Sequence, residues 1–164
     1  MTSGEKPVRV LMVCTGNICR SPTAEAVLRA KAMAAGLVER LVVDSAGVSD
    51  YHVGDPPDRR AQAHARRRGY DLSTLRARQV HDGDFQHFDW LLAMDEGHLR
   101  DLQGQAPTNH TARLARLLDF APGREGLDVP DPYYGAAAGF EQVLDLVEAG
   151  CDGLLHRLFG YTTR

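Results

Sequence analysis

The chain predicts an α/β fold, a four-stranded parallel sheet flanked by helices on both faces, on three observations. Short apolar runs alternate with segments of helical periodicity along the chain. The first run ends in a glycine-containing turn that opens directly into a helix. No internal repeat, low-complexity tract or long linker divides the 164 residues, so one domain spanning 1–164 is expected, with 1–7 as a flexible N-terminal tail.

Each element has its own warrant. Val8 to Val13 is short, β-branched and apolar, which reads as a buried parallel strand. After it Ser21 can cap a helix and Pro22 can take its first position, with "TAEAVLRAKAMAA" running to a terminating Gly36. "RLVVDSAG" predicts a second strand, and "DRRAQAHARRRG" a helix opened by Asp58 and closed by Gly69. "FDWLLAMD" predicts the third strand and "EGHLRDLQ" a short helix. "ARLARLLDF" is ambiguous, and its second half reads as the fourth strand. The last segment, "FEQVLDLVEAGCDGLLHRLF", is helical in period but weakened where Gly150 and Gly153 interrupt it. Ligands of such sheets gather at the carboxyl ends of the strands, where the first loop lies.

Composition narrows the function classes. With 43% hydrophobic and 25% charged residues the chain is ordinary globular material. A net charge of −3 gives no general reason to expect nucleic acid as a partner. The local cluster Arg59, Arg60, Arg66, Arg67 and Arg68 spreads around a helix, so a solvated face is favoured over an anion-binding patch. The polar start "MTSGEKP" and the short apolar run behind it give neither a signal-peptide core nor a membrane span, which makes a cytoplasmic protein without a membrane partner the default reading. Three cysteines suit that compartment better than a disulfide framework. The seven histidines show no metal-ligand spacing, so neither metal nor cofactor is expected.

The chemistry concentrates in "VLMVCTGNICRSP". A loop of small residues between a strand and a helix can turn several N–H groups inward, and the helix N-terminus behind it adds positive potential. Such a concavity binds a tetrahedral anion. The same dipoles would stabilise a thiolate on Cys14, Ser21 could donate its hydroxyl to the sulfur, and Arg20 offers a planar fork for two phosphate oxygens. Thiolate and guanidinium together describe nucleophilic displacement at phosphorus through a phosphocysteine. A lone Cys–x5–Arg would be a weak signal, since a free cysteine is commonly a small buried hydrophobe. The strand before it, Gly16, Asn17 and the Ser–Pro helix start in register favour the functional reading. No nucleotide-binding glycine pattern is present.

"VCTGNICRSPTAEA" resembles the signature of the low-molecular-weight protein tyrosine phosphatases, and the resemblance extends through "VDSAG", "YHVGDPPDRRAQ", "ARQV", "FDWLLAMDEGHLRDL" and "DPYYG". It implies a phosphate-binding loop built from Cys14, Thr15, Gly16, Asn17, Ile18, Cys19, Arg20 and Ser21, after the first of four parallel strands. It implies Cys14 as nucleophile and Arg20 as phosphate clamp, with the aspartate of "DPYYG", Asp131, as general acid and then general base. Read without the resemblance, Asp131 is an extended residue before a proline in a loop, and Asp128 rivals it for the role. A somewhat raised pKa or an acidic pH optimum is expected, because the acid must hold its proton to donate it.

The resemblance further implies a deep slot for phosphotyrosine lined by Ile18, with Tyr51, Tyr133 and Tyr134 at its rim. Isoleucine at position 18 accompanies tyrosine phosphatases, whereas threonine there accompanies protein arginine phosphatases. Asn17 and Ser45, with Ser21, resemble the residues that hold the loop, and Cys14 with Cys19 the pair that forms a protective disulfide. The family often has a histidine shortly before "ARQ"; here Thr74, Leu75 and Arg76 stand instead, which leaves the support of Asn17 open. Cys151 reads as a core residue. The implied partners are phosphotyrosine-containing proteins, with inorganic phosphate as product and a monomer or weak self-association as the state. Two other readings compete: a thioredoxin-linked arsenate reductase, which would need further redox cysteines, and a non-enzymatic phosphoprotein-binding module.

Overall fold

The computed structural model describes residues 6–162, so residues 1–5 of the expected tail lie outside it. Four strands, β1 (Val8–Cys14), β2 (Leu41–Gly47), β3 (Trp90–Ala93) and β4 (Arg113–Arg116), form one parallel sheet in the order β2-β1-β3-β4. The helices are α1 (Arg20–Ala34), α2 (Arg59–Arg67), α3 (Asp84–His87), α4 (Glu96–Gln105) and α5 (Ala137–Phe159). Alternation along β1 divides the core. Val10, Met12 and Cys14 join Val27 and Leu28 of α1 and Val147 and Leu154 of α5, while Leu11 and Val13 join Phe85, Phe88 and Leu102 on the opposite face. The chain leaves β1 for β2 on one side and returns to β3 on the other. That reversal puts a crevice at the carboxyl end of β1.

Local chemistry sets most boundaries as expected. Gly36 ends α1 in the left-handed region at φ 73°, with Leu37 N–H donating to Ala32 O at 2.8 Å and Gly36 N–H to Met33 O at 3.2 Å. Asp58 caps α2 by accepting from the N–H groups of Arg60 and Ala61.

Three expectations are corrected. Ser21 does not cap α1, which begins two residues earlier than expected, at Arg20, and has Cys19 at its N-cap without a side-chain bond. Thr23 Oγ1 instead donates to Cys19 O at 2.7 Å, and the Ser21 hydroxyl is left for the loop. The fourth strand occupies the first half of "ARLARLLDF", not the second. Leu117 to Phe120 is a 3-10 turn: Leu117 and Leu118 both join the core on the α1 and α5 side, whereas a strand would have sent one of them to the opposite face. Finally, α5 runs unbroken through Gly150 and Gly153. A Cβ on Gly153 would lie 1.8 Å from Phe120 O, and one on Gly150 2.6 Å from Leu117 Cγ. These glycines admit the 3-10 turn against the helix, and the packing outweighs their poor helix propensity of about 1 kcal/mol each.

The arginine run divides. Arg59, Arg66 and Arg67 face solvent, whereas Arg68 reaches α5 and pairs with Glu141, Asp145 and Glu148 at 2.8, 2.9 and 2.6 Å. Among the described residues no helix is long and apolar enough to cross a membrane.

Candidate active site

The loop from β1 to α1 closes around a directed chain of hydrogen bonds. Cys14 ends β1, is buried, and has its Sγ 3.0 Å from Ser21 Oγ. Asn17 sits at φ 59°, a conformation rare for a residue with a Cβ, and its side chain holds it there. Its Oδ1 accepts from Arg78 N–H at 3.1 Å, which fixes the amide so that Nδ2 donates to Ser21 Oγ at 2.7 Å and to Ser45 Oγ at 2.9 Å. Ser45 in turn donates its hydroxyl to Glu25 Oε1 at 2.7 Å. Every bond then has one direction: Ser45 gives its proton to Glu25, accepts from Asn17, and Asn17 fills a lone pair of Ser21. The Ser21 hydrogen can then point at the Cys14 sulfur at 3.0 Å, with Ala46 O at 3.5 Å as its more distant acceptor.

Glu25 is buried on α1 and also accepts from Arg29 at 2.6 Å. Burial pushes its carboxyl above the ordinary value, against the opposing hydrogen bonds from Ser45 and Arg29. Among the described residues no histidine takes part in holding the Asn17 side chain; the Arg78 backbone, Ser45 and Ser21 satisfy its amide. The loop also lies close on β2. A Cβ on Gly47 would stand 2.6 Å from Thr15 O, and the N–H groups of Val48 and Ser49 donate to Cys14 O and Thr15 O at 2.9 and 3.0 Å.

Arg20, only 4% exposed, is oriented by Nη1 donating to Asp95 Oδ2 at 2.9 Å and to Val129 O at 3.0 Å. Burial works to raise the Asp95 carboxyl, but the His98 N–H and Arg20 together hold it below the ordinary carboxylate value. Arg20 Nη2 lies 3.8 Å from Asp131 Oδ2. Asp131 is half-exposed, its Oδ1 accepting from Tyr133 N–H at 3.0 Å in a turn that the Asp–Pro step begins. Asp128, the rival, lies elsewhere: its carboxylate accepts from Glu96 N–H at the start of α4.

A cavity of about 370 Å³ brings the expected residues together. Cys14, Thr15, Gly16, Ile18, Cys19 and Arg20 form its floor, and Tyr51, His52, Asp131, Tyr133 and Tyr134 its walls. Tyr51 and Tyr134 are 82% and 93% exposed, and the rings of Tyr133 and Tyr134 meet edge-on at 4.9 Å. Asn17, Ser21 and Ser45 lie behind the floor rather than on it. Cys14 and Cys19 are both free thiols, and burial pushes the Cys19 thiol up, so it stays protonated. Cys151 belongs to the core between α1 and α5.

Sequence reasoning did not single out Glu25, Asp95, His98 or Arg78, nor the role of Arg60. Arg60 forks onto Asp58, donates to Tyr133 O at 2.8 Å and lies 4.9 Å over the Phe140 ring, tying α2 to the Asp131 loop. Among the described residues no group of three or more His, Cys, Asp or Glu side chains could hold a metal ion.

A thiol with a hydroxyl donor behind it, a fixed guanidinium and a carboxyl at the mouth of one cavity suit displacement at a phosphoryl group. Known proteins agree. The family model for low molecular weight phosphotyrosine protein phosphatase matches residues 9–160. The low molecular weight protein-tyrosine-phosphatase of Streptomyces coelicolor is 49% identical over 90% of this chain and 91% of its own length. The crystal structure of YfkJ from Bacillus subtilis superposes with a TM-score of 0.88 at 40% identity, covering 95% of this chain and 97% of that one. A protein tyrosine phosphatase from Entamoeba histolytica, solved with Hepes in its active site, gives 0.88 at 37% identity over 92% and 96%. The chain therefore belongs to the low molecular weight phosphotyrosine protein phosphatase family.

Proposed function

We propose that this protein, one phosphatase domain over 1–164, hydrolyses phosphotyrosine in proteins through a phosphocysteine on Cys14. The observation that carries the reading is the convergence of Cys14, Arg20 and Asp131 on one cavity whose walls are aromatic. In the first step the Cys14 thiolate forms a bond to phosphorus as the bond from phosphorus to the tyrosine oxygen breaks. Asp131 delivers its proton to that leaving oxygen. Arg20 and the inward N–H groups of the loop take up the charge on the equatorial oxygens. In the second step Asp131, now a carboxylate, accepts a proton from water. The water oxygen bonds to phosphorus, the bond from sulfur breaks, and inorganic phosphate leaves with the thiolate restored.

Ile18 and the tyrosine rim support an aryl phosphate, whose ring reaches further into the cavity than a serine phosphate can. The need to keep Cys14 reduced supports a cytoplasmic location and a guarding role for Cys19, which would capture an oxidised Cys14 as a disulfide. A monomer suffices for the reading, since every residue it uses belongs to one chain.

The test is phosphate release from a phosphotyrosine peptide at mildly acidic pH under reducing conditions, with Cys14→Ser as control. Release by the wild type alone is expected. A folded, reduced wild type that releases phosphate from phosphoarginine but not phosphotyrosine would replace the substrate. Tight phosphopeptide binding without release would replace the enzyme by a binding module, and thiol-dependent turnover of arsenate would replace it by an arsenate reductase.

A further inference from the structure

His98 is a buried histidine that the mechanism above does not use, and it touches two parts of the phosphate-binding loop at once. It stands on the first turn of α4, where its N–H donates to Asp95 Oδ1 at 2.9 Å, and its ring is 4% exposed. Nε2 lies 2.8 Å from Thr15 Oγ1 and 3.4 Å from Arg20 Nη2. On the other side of the ring Nδ1 is 3.2 Å from Asp95 Oδ1, without hydrogen-bond geometry to any partner among the described residues.

Elementary donor counting settles the proton. A guanidinium has only N–H groups to offer, so a ring nitrogen facing Arg20 must present its lone pair. The single proton of the neutral imidazole is then on Nδ1, on the side of the Asp95 carboxylate, and the one lone pair of Nε2 is shared unequally between the Thr15 hydroxyl at 2.8 Å and the Arg20 N–H at 3.4 Å. Burial and the Arg20 charge both push the imidazole toward its neutral form, against the opposing Asp95, Asp101 and Asp131 carboxylates.

We infer that His98 is a positioning residue of the phosphate site: as a neutral acceptor it pins the Thr15 side chain and the free edge of Arg20, so that loop and guanidinium present one fixed cradle to a phosphoryl group. Asp95 and Val129 fix only Nη1 of Arg20, and on Nη2 the buried His98 ring, at 3.4 Å, adds to the longer approach of the half-exposed Asp131 carboxylate at 3.8 Å. The inference rests on the phosphatase reading of the site.

The test compares wild type with His98→Leu, which removes the acceptor at similar bulk, and His98→Gln, whose amide oxygen can stand where Nε2 does. The measured quantities are KM and kcat on a phosphotyrosine peptide, the inhibition constant of inorganic phosphate, and thermal stability. His98→Leu is expected to raise KM and the phosphate inhibition constant together, roughly three- to tenfold as for one lost hydrogen bond, with a smaller change in kcat. His98→Gln is expected to recover most of that loss. Thr15→Val breaks the same contact from the exposed side of the loop and should give a similar rise, with no further rise when combined with His98→Leu. That pair also serves if His98→Leu does not fold, because Thr15→Val combined with His98→Gln should then match Thr15→Val alone. Unchanged phosphate inhibition in the His98 and Thr15 variants overturns the inference, and so does a Gln variant as impaired and as unstable as the Leu variant. A wild type that neither hydrolyses the peptide nor binds phosphate would instead sink the phosphatase reading itself.

Discussion

Ser21 Oγ stands 3.0 Å from Cys14 Sγ and accepts an N–H of Asn17 at 2.7 Å, so its own hydrogen has the sulfur as its nearer partner, ahead of Ala46 O at 3.5 Å. A hydroxyl held in that sense stabilises negative charge on sulfur both before attack and when phosphocysteine breaks. A hydrogen bond to a charged group contributes about 1.5–3 kcal/mol. Ser21→Ala should therefore lower kcat roughly 10- to 100-fold and slow alkylation of Cys14 by iodoacetate at mildly acidic pH. Unchanged alkylation would show that the hydroxyl does not serve the sulfur.

Glu25 sets the direction of that chain from its far end. Ionised, it can only accept, which forces the Ser45 hydroxyl toward it and leaves Ser45 to accept from Asn17. Glu25→Gln permits the reverse orientation, and a loss of about tenfold in kcat is expected, comparable to one hydrogen bond. Its stability effect has the opposite sign to that of a well-paired surface carboxylate. Burial raises the folded carboxyl above its ordinary value of 4.5, so the native state binds more protons than the unfolded chain as pH rises from there. Stability contributed by the protonated form is present below 4.5 and is lost as pH climbs through the raised folded value. Melting temperature followed against pH should fall across that window in the wild type and stay flatter in Glu25→Gln.

Arg60 joins the cap of α2 to the loop that carries Asp131, by its fork on Asp58 and its bond to Tyr133 O. Asp58 N–H in turn donates to Ile18 O at 2.8 Å, so the acid loop is tied indirectly to the phosphate-binding loop. Arg60→Ala should loosen the acid without touching the thiol. Turnover of aryl phosphates with poor leaving groups should fall about tenfold, as for a lost hydrogen bond of ordinary strength, with much less change for a good leaving group. Equal losses on both substrates would mean that Arg60 acts on binding or folding instead.

Gly153 tests the close contact between α5 and the 3-10 turn. A methyl there meets the Phe120 carbonyl at 1.8 Å, so Gly153→Ala should cost about 1–3 kcal/mol by overpacking, despite the better helix propensity of alanine. A fall of roughly 2–12 °C in Tm follows for a chain of this size. Gly104 in α4 has no atom within 4 Å of its would-be Cβ, and Gly104→Ala should raise Tm slightly. Two changes of the same chemistry with opposite signs would separate contact from propensity.

The phosphate-binding loop was legible because its parts are contiguous: a thiol, a glycine turn, an arginine and a helix start fall within Cys14 to Pro22. Asp131 was legible only through the resemblance, since an Asp–Pro step is ordinarily just a turn. The supporting residues were not read because each reaches the loop from a different element: Glu25 from α1, Arg78 from the segment after α2, Asp95 and His98 from the start of α4. One signal was available. In a parallel sheet the carboxyl ends of neighbouring strands lie together, so a charged residue directly after β3 had to stand beside the loop after β1. The misplaced fourth strand and the weakening expected in α5 share a cause: both rest on local propensity at a place where the Leu117 to Phe120 turn packs on Gly150 and Gly153, a contact no local pattern reveals.

The most direct measurement is rapid acid quenching during turnover of an aryl phosphate with a good leaving group, by wild type and by Asp131→Asn, followed by mass spectrometry of the peptide containing Cys14. A phosphoryl group on Cys14, enriched in Asp131→Asn because its second step is slowed, and no turnover by Cys14→Ser, is the predicted result. Hydrolysis by Cys14→Ser at the wild-type rate, with no phosphoryl group found on Cys14, would contradict covalent catalysis by this thiol.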